Sequence, residues 1–144
     1  MTGYRFRDVL AQTGATRSQL IYWTQVGLLR ADVEETVGTG HPRTFSWRNL
    51  VQARIAVLLA QRGLSVSATT FVLRAVKVSK PGGPAPEVVW IPARATTTHA
   101  VWMGSIPEFA AELRRPMAGG GDAGIVIKLQ EVIAALAATA IPRA

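Results

Sequence analysis

The stretch Thr13-Gly14-Ala15-Thr16-Arg17-Ser18-Gln19-Leu20-Ile21-Tyr22-Trp23-Thr24 decides how the chain is read. On a helical wheel, Thr16–Thr24 separates into two faces, with Thr16, Leu20 and Trp23 on one and Arg17, Ser18, Ile21 and Tyr22 on the other. The first face suits packing, and the second is free to meet a ligand. Just before it, Thr13-Gly14-Ala15 makes a tight break, because glycine takes positive φ without a steric penalty. Phe6–Gln12 and Thr16–Gln25 read as short helices, so helix, short turn and second helix follow one another as in a helix-turn-helix. That geometry places the second helix in a major groove with its N-terminal residues nearest the base edges. An ordinary helical hairpin has the same spacing.

Working outward, Asn49–Arg62 predicts a longer helix and Ser67–Val76 a fourth, while the Gly-rich Val37–Phe45 suits a hairpin. Two Pro/Gly-rich breaks follow, Pro81-Gly82-Gly83-Pro84-Ala85-Pro86 and Pro116 with Gly119-Gly120-Gly121. The first reads as a boundary between a domain over 1–80 and a smaller module over 87–144. In that module Val88–Ile91 and Thr98–Met103 predict two strands. Ser105-Ile106-Pro107-Glu108 has the form of a capping box, so a helix over Ile106–Arg115 is expected, with Ile106, Phe109 and Leu113 as its apolar face and Pro116 as its stop. Ile125–Leu129 reads as a strand and Gln130–Ala140 as a helix. The expected fold class is mainly α: an N-terminal winged helix-turn-helix followed by a small α+β module of a β-hairpin plus helices.

The charge is uneven along the chain. Of 16 Lys and Arg and 9 Asp and Glu, residues 1–80 hold 11 basic and 4 acidic, and the remainder 5 and 5. The whole net charge of +7 thus sits in the first part, which suits a polyanion, although a solvated basic surface has the same composition. With 144 residues, 49% hydrophobic, the chain can bury one ordinary core and a small second one. The absence of cysteine excludes disulfides, thiolate metal sites and thiol sensing. There is no continuous apolar signal-peptide core, and the apolar run Val132–Pro142 is short of the ~18 residues of a membrane span. A cytoplasmic protein that does not enter a membrane is expected.

Read as a whole, Tyr4-Arg5-Phe6-Arg7-Asp8-Val9-Leu10-Ala11-Gln12-Thr13-Gly14 through Leu20-Ile21-Tyr22-Trp23 to Gly27-Leu28-Leu29 resembles the opening of the mercury-resistance-regulator (MerR) type of DNA-binding protein. Such proteins show an aromatic start, a first helix ending in T-G, a second helix with L-R-Y-Y or similar, and a closing G-L-L. Gly38-Thr39-Gly40-His41-Pro42-Arg43-Thr44-Phe45-Ser46 is similar to the wing pattern G-x-R-x-Y-S, and Gln61-Arg62-Gly63-Leu64-Ser65 to a helix end in G-F-S. The likeness spans roughly residues 4–74.

What the resemblance implies is a four-helix winged domain whose second helix enters the major groove. Arg17, Ser18, Gln19 and Tyr22 match the DNA-contacting face, Arg43 matches the wing position that grips the backbone, and Arg5 and His41 are further candidates. The side-chain chemistry agrees: Arg is a forked donor for phosphate or guanine, Ser and Tyr hydroxyls suit phosphate oxygens, and Gln can pair with adenine. The chain departs from the pattern at Ser18 and Ile21, where Arg is common, and at Trp23, where Tyr is. A second departure is Pro81–Pro86, which interrupts the long helix that forms an intersubunit coiled coil in the family. Homodimer contact is therefore expected from the C-terminal half, through Trp90, Trp102, Phe109, Val132, Ile133 and Leu136.

No catalytic constellation emerges. His41 and His99 lack acidic or nucleophilic neighbours at a recognisable spacing, and no P-loop or dinucleotide fingerprint is present. No cofactor or metal is expected, and the protein reads as a non-enzyme. Two functions fit: a transcriptional regulator, repressor or autoregulator, whose C-terminal module senses a small-molecule effector or mediates dimerisation, and an antitoxin-type protein whose C-terminal module binds a protein partner. An architectural, DNA-bending protein is a third.

Overall fold

The computed structural model describes residues 3–31, 44–76, 85–92, 101–113 and 124–139. These form a helix-rich α+β fold with two small antiparallel sheets. In chain order they are β1 (Tyr4–Arg5), α1 (Phe6–Thr13), α2 (Arg17–Gln25), β2 (Thr44–Phe45), α3 (Trp47–Gln61) and α4 (Val66–Ala75). The C-terminal half adds β3 (Val88–Pro92), β4 (Trp102–Gly104), α5 (Ile106–Leu113), β5 (Gly124–Ile127) and α6 (Leu129–Thr139).

Short polar side chains set the helix starts. Thr16 Oγ1 accepts from the Gln19 N–H at 3.1 Å, and Gln19 Oε1 accepts from the Thr16 N–H at 3.0 Å. Ser46 and Asn49 make the same reciprocal pair ahead of α3, at 3.0 and 3.1 Å, as do Ser105 and Glu108 ahead of α5, at 3.2 and 3.3 Å. Each satisfies N–H groups that the first helical turn leaves unpaired. The Ser46 cap explains why α3 starts at Trp47, two residues before the expected Asn49, and the Thr16 cap why α2 starts at Arg17. α1 ends on Gly14 at φ 78°, whose N–H donates to the Leu10 carbonyl at 3.1 Å.

β1 was not expected. It pairs antiparallel with β2, Tyr4 opposite Phe45 and Arg5 opposite Thr44, so the described end of the expected Val37–Phe45 hairpin is bonded to the N-terminus. The rest of that hairpin lies outside the described residues, as do Thr98–Ala100 of the second expected strand, the Arg114-Arg115 end of the expected helix, and the Pro116 and Gly119–Gly121 break. The C-terminal sheet has three strands in the order β4-β3-β5: the strand expected over Ile125–Leu129 runs over Gly124–Ile127 and joins the expected hairpin through β3, with Val89 opposite Ile127 and Ile91 opposite Ile125.

Alternation along β3 divides that sheet into two faces. Trp90 lies opposite Trp102, and Phe109 of α5 covers them, its ring centroid 5.5 Å from Trp90 and 5.7 Å from Trp102. Val89, Ile91 and Ile127 face the other way and join Leu129 and Leu136 of α6 in one core with Val9, Leu20, Leu50 and Ile55 of the helical part. α6 packs on both α1 and α3. The parts expected over 1–80 and 87–144 therefore share a core. Trp90 and Leu136, expected at a subunit contact, are buried within the chain. Trp102, Phe109, Val132 and Ile133 are half-buried.

Candidate nucleic-acid interface

Burial along α2 follows the wheel. Leu20 and Trp23 are buried, Trp23 with 4% of its surface exposed, whereas Ile21 and Tyr22 keep 37% and 49%. Arg17 and Ser18 are exposed as well. The inward anchors fix the helix against the core, and the outward residues form a strip beginning at its first turn. Thr16 belongs to neither face: it is exposed and spends its hydroxyl on the cap.

Four further hydrogen bonds set the direction in which α2 points. Thr13 Oγ1 donates to the Val9 carbonyl at 2.6 Å and accepts from the Ala15 N–H at 3.3 Å, so one buried hydroxyl closes α1 and shapes the turn. Arg54 of α3 reaches across with Nη1 donating to the Thr13 carbonyl at 3.0 Å. At the far end, the buried Asn49 donates Nδ2 to the Arg30 carbonyl at 2.6 Å, tying the chain that leaves α2 to the start of α3. A Cβ at Gly14 would meet only Arg54 Nη1, at 3.6 Å, so glycine is needed there for its positive φ and not for space.

The candidate residues are placed unequally. Arg17, Ser18 and Tyr22 come together on the exposed strip. The Arg17 guanidinium stands over the Phe6 ring, Cζ 5.5 Å from its centroid, which sets it beside the segment that carries the exposed Arg5 and Arg7. Gln19 is half-buried and its side-chain carbonyl accepts from the Thr16 N–H, so it shares only in part the outward face to which the resemblance matched it. Arg5 is exposed at the start of α1, where its backbone N–H donates to Asp8 at 3.0 Å. His41 and Arg43 lie outside the described residues.

The sequence reading overlooked Arg7 and Arg48, both exposed cations close to β1 and β2. Their signal was available in Tyr4-Arg5-Phe6-Arg7 and Ser46-Trp47-Arg48, where a cation alternates with or follows an aromatic anchor. Among the described residues there is no cluster of three or more His, Asp or Glu, and no helix is long and apolar enough to cross a membrane. Protein-family models give no match to the chain, and none of the curated proteins matches it.

Proposed function

We propose that this chain binds double-stranded DNA as a MerR-like transcriptional regulator, a repressor or autoregulator, with α1 and α2 as its helix-turn-helix and α2 in the major groove. It is a binding protein, not an enzyme. The observation that carries this reading is the two-sided character of α2: Leu20 and Trp23 are buried, while Arg17, Ser18, Ile21 and Tyr22 form an open strip that begins at its first turn. Major-groove readers dock through that end of the second helix, and an Arg there can take guanine or phosphate bidentately. The excess of +7 within residues 1–80 supplies the sequence-independent attraction to phosphate.

Fluorescence anisotropy of the full chain on duplex DNA from upstream of its own gene tests this. If about four phosphates are neutralised, affinity falls roughly a hundredfold between 50 and 200 mM salt. Absence of binding at low salt, or binding indifferent to salt, would contradict it.

The C-terminal sheet offers a contact for a second copy or for a protein partner of the antitoxin kind. In favour are Met103 on the edge strand β4, opposite Val89, and Ile106 on α5, three residues before Phe109, 37% and 55% exposed. Apolar side chains left open at a sheet edge suit an interface core. Sedimentation of the full chain at micromolar concentration, with and without Ile106→Glu, separates a homodimer from a monomer awaiting another protein.

A further inference from the structure

A groove of about 680 Å³ runs between the α1–α2 turn and the C-terminal half, within the size range of small-molecule sites. Gln12, Thr13 and Gly14 form one end of its lining, and α3, β5 and α6 supply the rest. Arg54 and Leu58, one turn apart, come from α3, and Arg62 from its C-cap just beyond Gln61. From α6 come Val132 and Leu136, one turn apart.

The charges in this groove are unevenly engaged. Arg54 is held to the Thr13 carbonyl. Lys128 makes a loose pair with Glu131 at 3.9 Å, and both side chains are well exposed, so water screens it. Arg62 is exposed and has no side-chain partner among the described residues. Three cations against one carboxylate leave the groove net positive over an apolar floor.

We infer that this groove binds an amphipathic carboxylate, its apolar body on Leu58, Val132 and Leu136 and its carboxylate on the Arg62 guanidinium. A forked donor without a partner matches a carboxylate's two oxygens, and the apolar floor disfavours a fully hydrated anion such as free phosphate. The site abuts the turn that sets α2: Thr13 and Gly14 line it, and Arg54 bridges its wall to the Thr13 carbonyl. An occupant therefore touches the residues that orient the exposed strip. Its effect on DNA affinity rests on the function proposed above, whereas binding itself does not.

The test is titration of the full chain with decanoate, decylammonium and decanol, each below its aggregation threshold, by calorimetry and amide NMR. Decanoate binds saturably at one site, moving the Gly14, Leu58 and Leu136 amides, and the other two bind at least about tenfold more weakly. Arg62→Gln weakens decanoate roughly tenfold without changing the melting temperature. Ala135→Trp, at an exposed α6 position that lines the groove, blocks it while leaving the core residues in place. Failure of decanoate to saturate, equal binding of decylammonium or decanol, or indifference to both variants would overturn the site. These readouts need no DNA, so they fail separately from the DNA reading. Decanoate that fills the groove without changing DNA affinity would overturn the coupling to α2.

Discussion

The helical part over residues 3–76 and the sheet-bearing part over 85–139 differ in charge, in secondary structure and in how their apolar side chains are packed. In the first, short polar side chains are used at the ends of α1, α2, α3 and α4, and arginines stand outside a core of Leu, Ile, Val and aromatic residues. In the second, one sheet face is closed by α5 through aromatic rings, and the other contributes Val89, Ile91 and Ile127 to the core of the first part. A change of charge along a chain and a change of packing are thus separate matters. The basic and neutral parts differ on the outside while sharing an interior.

That shared interior can be broken most strongly at Leu136, which is buried where α6 meets α1 and α3. Leu136→Ala should cost about 2–5 kcal/mol, the range for a buried leucine truncation. A single melting transition that shifts as a whole, with amides of both parts losing protection together, fits one core. Two transitions, with protection retained in α1 and α3, would separate the parts. Thr16→Ala sharpens the comparison from the other side. It removes one acceptor from the start of α2 and should cost about 1 kcal/mol, with faster amide exchange confined to Arg17–Leu20. Loss of protection spreading into β3 or β5 would show that the turn and the sheet are more tightly coupled than their hydrogen bonds suggest.

The smallest effect belongs to α5. Hydrogen bonds from the Ser105 side chain and then its backbone hold the Glu108 carboxyl below its ordinary value of 4.5. A carboxylate depressed in the folded state adds stability that is complete above its unfolded pKa and fades as pH falls through the folded one. Hydrogen exchange at the start of α5 should therefore quicken only below about pH 4.5, and Glu108→Gln should flatten that dependence. A pH dependence unchanged in the variant would assign the effect to another carboxyl.

Much of this was legible in the sequence where the signal is local. Ser105 with Glu108 and Gly14 after Thr13 mark helix ends within a few residues, and the α1, α2, α3 and α4 spans agree with the pattern to within two residues. The exposed strip of Arg17, Ser18 and Tyr22 was legible for the same reason, since a 3.6-residue period assigns faces. Gln19, given to that face by the resemblance, is half-buried with its side-chain carbonyl accepting from the Thr16 N–H, a local contact that the family pattern does not display. What could not be read is what depends on distant partners: β1 against β2, β5 against β3, Arg54 on Thr13 across 41 residues, and Asn49 on Arg30 across 19. Two-residue strands have too little length to show alternation, and pairing between remote segments leaves no local mark.

The central claim is that the outward face of α2 reads base edges, and Arg17→Ala tests it most directly. The full chain and the variant are titrated by anisotropy, at one salt concentration, against the upstream site and a set of its single-base substitutions. A thermal melt of each accounts for the lost contact with Phe6. The account predicts a loss of about 1–3 kcal/mol on the preferred site and relaxed preference at one base position, with the remaining positions still discriminated. An unchanged affinity, or a loss of the same size on every sequence, would contradict it.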